Sequence, residues 1–164
     1  MKNVKDYRLI NFAGNNSLIS IIDNTDAFVE EVFKQQRIKE KEAKSNLNIV
    51  YTPLHGSGRV PVSKILDVDG FTCVSLVDEQ ANDDGNFSTV KSPNPEDKDA
   101  LILGIELAKE LNADIVLGTD PDCDRVGVAV KNSSDEYQLL TGNQIGALLM
   151  DFIIRHTDLD ELEK

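Results

Sequence analysis

The sequence predicts an α/β protein, a three-layer α/β/α sandwich around a mixed, mostly parallel sheet. Short apolar segments typical of strands alternate with helical patterns, which is the order expected of βαβ units with helices on both faces of a parallel sheet. The last two predicted strands are separated only by the polar turn 132–136, which favours an antiparallel hairpin. The sheet is therefore expected to be mixed.

The elements of the first half follow from local patterns. Residues 23–26 offer capping side chains for a helix that runs to Gln36 and has its apolar residues on one face. After the first helix, the predicted elements are a charged linker over 37–44, a strand over 46–51, a loop over 52–58 and a helix over 60–69. Pro61 is compatible with this last helix, because proline is tolerated in the first turn of a helix.

The second half contains the clearest amphipathic helix, in which Leu101, Ile105 and Ala108 fall on one face. The predicted elements are a strand over 71–77, a loop over 78–97, this helix over 97–111, a strand over 114–118, an acidic loop, strands over 126–131 and 137–140, and a last helix over 142–156. The last helix has a continuous apolar stripe made of Ile145, Leu148, Leu149, Phe152 and Ile153.

Composition limits the class of protein. The chain has 164 residues, of which 40% are hydrophobic and 28% charged, a balance that supports one globular domain. The net charge of −12 argues against a nucleic acid or an anionic membrane as partner, although it does not exclude an anionic sugar phosphate. Cys73 and Cys123 form no Cys-x-x-Cys pair, which favours a reducing compartment. Without a long apolar segment or a signal peptide, the expected location is the cytoplasm.

The strongest functional signal is the acidic loop after the strand 114–118. Asp120, Asp122 and Asp124 alternate along it, and Arg125 follows directly. Three carboxylates so close together would repel one another unless a cation lies between them, and Mg²⁺ prefers oxygen ligands. A short extended loop would point these alternate side chains the same way. Arg125 then lies beside the metal as a fixed positive fork suited to a phosphate oxygen. The pattern indicates phosphoryl transfer.

Other interpretations of this loop differ in the residues they require. An EF-hand needs glycine at the sixth position and glutamate at the twelfth, but Arg125 and Lys131 stand there. A phosphatase of the haloacid-dehalogenase type would use Asp120 as a covalent nucleophile, but its motif has threonine or valine at the position of Asp124. A phosphatase with Asp120 as nucleophile stays open as an alternative, as do a plain acidic turn and a stand-alone module that binds cations or sugar phosphates.

A second loop, residues 52–58, also follows a predicted parallel strand. Because ligands in open α/β sheets gather at the carboxyl ends of the parallel strands, both loops are expected at the same edge. Gly56 and Gly58 precede a helix start, so the loop is either a plain turn or an anion site. His55 is interpreted as a residue that braces the loop and not as a base.

Three motifs in register carry a resemblance to a known family. They are Thr-Pro-Leu-His-Gly-Ser-Gly at 52–58, Asp-Gly-Asn-Phe-Ser-Thr-Val-Lys-Ser-Pro-Asn-Pro-Glu at 84–96 and Gly-Thr-Asp-Pro-Asp-Cys-Asp-Arg at 118–125. Together they resemble the second domain of the α-D-phosphohexomutases, the phosphoglucomutases and phosphomannomutases, with bacterial phosphoglucomutases the most similar. Residues 140–149 resemble the opening of that family's third domain.

The resemblance implies a division of the chain and a role for each part. Residues 1–45 are expected to be a linker and helix leading out of a missing first domain, 46–140 the metal-binding second domain and 141–164 the start of a truncated third domain. The family interconverts hexose 1-phosphates and 6-phosphates through a phosphoserine of its first domain. No catalytic residue is therefore expected in this chain, and the chain alone is expected to be inactive.

The resemblance also implies the ligands and partners. Asp120, Asp122 and Asp124 correspond to the family's Mg²⁺ ligands, and Arg125 is expected to contact the phosphate or to hold the loop. The expected partners are glucose 1-phosphate or mannose 1-phosphate, the hexose bisphosphate intermediate and the other domains of the same enzyme, with no nucleic acid and no membrane.

Overall fold

The computed structural model describes residues 20–39 and 41–157. Its helices are α1 (Thr25–Phe33), α2 (Lys41–Ser45), α3 (Arg59–Asp69), α4 (Asp78–Ala81), α5 (Ile102–Leu111) and α6 (Gly142–Arg155). Its strands are β1 (Ile49–Thr52), β2 (Val74–Leu76), β3 (Ile115–Thr119), β4 (Val126–Lys131) and β5 (Tyr137–Leu139).

The strands form one sheet in the order β2-β1-β3-β4-β5. β1 pairs in parallel with both β2 and β3, whereas β4 is antiparallel to its neighbours β3 and β5. Four strands therefore run in one direction and β4 opposes them, so the predicted mixed, mostly parallel sheet is confirmed. The short turn between β4 and β5 permits only the antiparallel hairpin, because a parallel pair needs a longer crossover.

The main core lies between α5 and one face of the sheet. Alternate residues of the central strands point to this face, and all are almost fully buried: Val50 in β1, Val116 in β3 and Ala129 in β4. The predicted apolar face of the helix meets them, since Leu101, Ile105 and Ala108 are all buried. The core is completed by Val77, Ala113 and Tyr137.

The opposite face of the sheet carries α3 and α6, which completes the three layers. α3 begins against Tyr51 and packs on α1, where Lys64 Nζ lies 2.6 Å from Asp26 Oδ1. α6 lies over the other end of this face, and its apolar stripe lines a groove of about 360 Å³ against Ile115, Val128 and Val130. The stripe is not closed off from solvent, because side chains such as Leu148 stay 60% exposed.

Several element boundaries differ from the sequence prediction. The strand predicted over 71–77 is only Val74–Leu76, at the edge of the sheet. The charged segment 37–44 is not only a linker, since the short helix α2 begins within it. Lys44 in α2 is buried because its Nζ donates to Ile38 O at 2.7 Å and to Asp69 Oδ1 at 2.8 Å. Tertiary partners thus order a segment that has no apolar pattern.

The helix and loop between β2 and β3 also differ in detail. The loop predicted over 78–97 opens with the single turn α4, and the helix predicted over 97–111 opens with a 3₁₀ turn at Lys98–Leu101. Residues 1–19 of the predicted linker and 158–164 of the predicted third-domain segment lie outside the described residues. No helix in the described ranges combines the length and apolar character needed to cross a bilayer.

Candidate metal centre

The aspartate loop, residues 119–125, leaves β3 at the carboxyl edge of the sheet. The expectation of an extended loop is wrong, because Cys123 N donates to Asp120 O at 3.0 Å and closes a turn. Cys123 has a φ of 63°, in the left-handed region, which reverses the chain toward β4. Val126, the first residue of β4, pairs with Thr119, the last residue of β3. The loop must therefore reverse the chain direction, which an extended loop of this length could not do.

The turn nevertheless brings the three predicted carboxylates together. Asp120, Asp122 and Asp124 each offer one oxygen, and these oxygens all lie within 4.8 Å of one another. Opposite ligands of an octahedral Mg²⁺ are about 4.2 Å apart, since each lies about 2.1 Å from the ion. The donors are thus hard oxygens at nearly the spacing that Mg²⁺ requires. Asp120 is fully buried, whereas Asp122 and Asp124 are exposed and free to adjust.

Arg125 holds the buried carboxylate in place. Its Nε donates to Asp120 Oδ2 at 2.7 Å and its backbone N–H donates to Oδ1 at 2.9 Å. Burial raises the pKa of Asp120, but these hydrogen bonds outweigh burial and the pKa is lowered overall. Asp120 therefore stays ionised inside the protein. The guanidinium is half exposed, and within the described residues its two terminal nitrogens have no protein partner, so they can reach a ligand.

Repulsion between the carboxylates is visible in Asp124. Its pKa is raised, first by the side-chain hydrogen bond with Asp120 and then by the charges of Asp122 and Asp120. Neighbouring negative charges raise the pKa of a carboxyl, so the cluster holds more negative charge than Arg125 alone compensates. A divalent cation would supply the missing positive charge.

The loop of residues 52–58 packs directly on the aspartate loop, as their predicted common edge requires. β1 and β3 are adjacent and in register, so the two loops start side by side. A Cβ on Gly56 would lie 2.3 Å from Pro121 Cα, and Ser57 N donates to Pro121 O at 2.9 Å. A Cβ on Gly58 would lie 2.8 Å from Cys123 Sγ. The two glycines are explained by this close packing, which favours the turn over an anion site.

His55 braces this loop, as predicted. The residue is buried and lies at a φ of 63°. Its two ring nitrogens bond to residues on the far side of the loop, Nδ1 to Asn82 O at 2.9 Å and Nε2 to Thr89 Oγ1 at 2.8 Å. Both nitrogens are therefore occupied, which leaves His55 no free position for a role as a base.

Sequence reasoning missed a contact made by Pro95, which lies across the strands that flank the aspartate loop. Gly118 and Gly127 face each other in the β3–β4 ladder. A Cβ on Gly127 would lie 2.0 Å from Pro95 O, and one on Gly118 would lie 3.5 Å from Pro95 Cβ. Gly127 thus makes room for the 82–97 segment, whereas a Cβ on Gly118 would clash first with Leu101 Cδ2 at 2.5 Å. Glycines in two neighbouring strands were the only sequence signal, since glycine inside a strand often marks a close backbone approach.

Comparisons with known proteins agree with this geometry. The profile of the family described as "Phosphoglucomutase/phosphomannomutase, alpha/beta/alpha domain II" matches residues 26–134, about two thirds of the chain. The chain belongs to the phosphoglucomutase/phosphomannomutase family. The matched segment begins within α1 and ends in the turn before β5, so it includes both loops of the candidate metal centre.

Individual relatives support the same assignment. The phosphoglucomutases of Staphylococcus aureus strains N315 and Mu50 are each 43% identical to this chain over 114 residues, which is 70% of the chain and 21% of the relative. A solved phosphoglucomutase/phosphomannomutase family protein from Burkholderia thailandensis shares the fold, with a TM-score of 0.62 and 21% identity over 81% of this chain and 26% of that one. The chain thus spans about a fifth of the length of its curated relatives.

Proposed function

We propose that this chain is the metal-binding domain of a phosphoglucomutase/phosphomannomutase that interconverts a hexose 1-phosphate and the 6-phosphate through a hexose bisphosphate. The observation that carries the proposal is the group of three carboxylate oxygens within 4.8 Å of one another at the end of β3. In this proposal residues 46–140 form the second domain, 141–164 begin the third and 1–45 lead out of the first. The enzyme is cytoplasmic, and its phosphoserine belongs to another domain.

The roles of the residues follow from their exposure and contacts. Asp120, Asp122 and Asp124 would hold Mg²⁺, which when bound would neutralise charge on the transferred phosphoryl group. Asp120 would be the fixed ligand because Arg125 donates to both its oxygens, while the exposed Asp122 and Asp124 would supply the other two carboxylates. The free terminal nitrogens of Arg125 bind an oxygen of the same phosphate.

An aspartate-nucleophile phosphatase is the alternative with a definite residue, and the contacts of Asp120 argue against it. A covalent nucleophile must reach the phosphorus atom, which is screened by its own oxygens. The side chain of Asp120 is only 1% exposed and is held by Arg125, which hinders that approach more than it hinders coordination of a small ion. A stand-alone binding module would use the same metal site, and it would differ from the mutase domain only in acting without partner domains.

The metal site is tested by titration calorimetry with MgCl₂ and MnCl₂. We expect weak binding, since three carboxylates leave several octahedral positions to water. Asp122→Asn and Asp124→Asn should each lose it. Asp135→Asn is the matched control, because Asp135 is an exposed aspartate at the opposite end of β4. Equal binding by the wild type and both loop variants would mean that the cluster is only an acidic turn.

Activity distinguishes a mutase domain from an independent enzyme. The purified chain is expected to convert no glucose 1-phosphate to glucose 6-phosphate, with or without Mg²⁺ and glucose 1,6-bisphosphate. It is also expected to form no acyl phosphate that hydroxylamine releases, which an Asp120 nucleophile would give. Turnover by a preparation shown to be free of host mutase would refute the proposal, and a trapped acyl phosphate would favour the phosphatase.

A further inference from the structure

A ring of side-chain hydrogen bonds fastens the loop of residues 52–58 to the segment of residues 80–89. Thr52 Oγ1 donates to Gln80 Oε1 at 2.8 Å, and Gln80 Nε2 donates to Thr89 Oγ1 at 3.2 Å. His55 completes the ring through its contacts with Thr89 Oγ1 and Asn82 O. Thr52 and Gln80 are completely buried, so the ring has fixed geometry on its inner side.

The partners of His55 determine where its ring hydrogen lies. Asn82 O is a carbonyl and can only accept, so His55 Nδ1 must carry a hydrogen. Thr89 Oγ1 accepts from Gln80 Nε2 and lies 2.8 Å from His55 Nε2, so its own hydrogen is available to that nitrogen. Every donor in the ring then has an acceptor. The Nδ1–H tautomer of His55 satisfies this arrangement.

This ring supports a backbone that is unfavourable on its own. Leu54 and His55 have φ angles of 45° and 63°, in a region where residues other than glycine cost of order 1 kcal/mol or more. The next two residues make the contacts with the aspartate loop, Gly56 against Pro121 Cα and Ser57 by donating to Pro121 O. The angle at His55 therefore sets the position of Pro121, which lies between two of the carboxylates.

We propose that His55 is a positioning residue for the metal centre, held by the Thr89 hydroxyl so that the loop of residues 52–58 supports Pro121 and keeps Asp120 and Asp122 at ligand spacing. This role rests on the proposed metal binding. It also assigns a function to Thr89, an exposed residue that touches no metal ligand. Partners outside the ligand shell commonly change metal affinity 10–100-fold.

Three variants separate positioning from simple stability. Thr89→Val removes the hydroxyl and keeps the shape of the side chain, and Thr89→Ser keeps the hydroxyl and is the matched control. Thr89 is exposed, so neither change should prevent folding. His55→Asn keeps a donor for Asn82 O and tolerates positive φ, but it cannot reach Thr89.

The readouts are the Mn²⁺ dissociation constant, the melting temperature and the ¹⁵N spectrum of the His55 ring, assigned by its loss in His55→Asn. We expect the Nδ1–H tautomer in the wild type and in both Thr89 variants, because the Asn82 carbonyl accepts from Nδ1 in each. Mn²⁺ binding should weaken about 3- to 10-fold in Thr89→Val and in His55→Asn, less than for direct partners of a ligand because the contact is one step further away. Thr89→Ser should bind as the wild type does.

The possible failures can be told apart. If the wild type binds Mn²⁺ and Thr89→Val binds it equally well, the positioning role is wrong and the metal site stands. If Mn²⁺ binding weakens only in proportion to a lower melting temperature, or if the wild-type ring carries its hydrogen on Nε2, the positioning role is also wrong. A wild type that binds no Mn²⁺ overturns the proposed function and this inference with it.

Discussion

Replacing Gly127 with alanine should destabilise the chain because the 82–97 segment leaves no space for a methyl group. The added Cβ would lie 2.0 Å from Pro95 O and 2.6 Å from Pro95 C. Both atoms belong to backbone, and Pro95 is itself almost fully buried, so neither neighbour can rotate away as a flexible side chain could. Gly127 has a negative φ, so its backbone conformation does not require glycine.

The expected size follows from two opposing effects. Overpacking of this kind costs about 1–3 kcal/mol, and contact this close with backbone belongs at the upper end. Alanine also restricts the unfolded chain, which returns about 0.4–1 kcal/mol. The net loss in free energy of unfolding is about 2 kcal/mol, which for a chain of this size lowers the melting temperature by about 4–8 °C.

Gly146→Ala is the matched control. Gly146 lies inside α6, and a Cβ there would meet nothing within 4 Å. Alanine is favoured over glycine inside a helix by about 0.5–1 kcal/mol, so this variant should melt slightly above the wild type. The assay is thermal unfolding of the three proteins followed by circular dichroism. A Gly127→Ala protein that melts within about 1 °C of the wild type would refute the close contact with Pro95.

Two further predictions concern single side chains. Tyr137→Phe should lower the free energy of unfolding by about 1–2 kcal/mol in urea titrations, because the buried hydroxyl shares its one hydrogen between Ala108 O and Ala113 O at the end of α5; an unchanged urea midpoint would contradict this. Hydrogen bonds from Ser88, first its side chain and then its backbone, lower the pKa of Asp84 from 3.8 to about 2, so the folded state favours the ionised form. The stabilisation is therefore complete above about pH 4 and is lost as the pH falls toward 2. The urea midpoint of the wild type should be higher than that of Asp84→Asn at pH 6, and the two midpoints should converge by pH 2. An equal difference between the two midpoints at both pH values would show that the charge of Asp84 does not cause it.

Much of the fold could be predicted from the chain because its signals are local. The alternation of apolar strands and amphipathic helices indicates the sheet and its layers, and the short turn 132–136 indicates the final hairpin. The three alternating aspartates mark the candidate metal centre before any contact is known. The α2 helix was missed for the opposite reason, since Lys44 is ordered by Asp69, a residue 25 positions away.

The sequence by itself determined the order of the elements, the edge of the sheet where the loops meet and the residues that could bind a metal, because periodicity and spacing are properties of neighbouring residues. Only the tertiary structure decided that Asp120 is buried against Arg125, that Gly127 faces Pro95 and that His55 is held by Thr89. The latter two contacts join residues more than thirty positions apart. Their geometry depends on how the sheet stacks the loops, which no local pattern records.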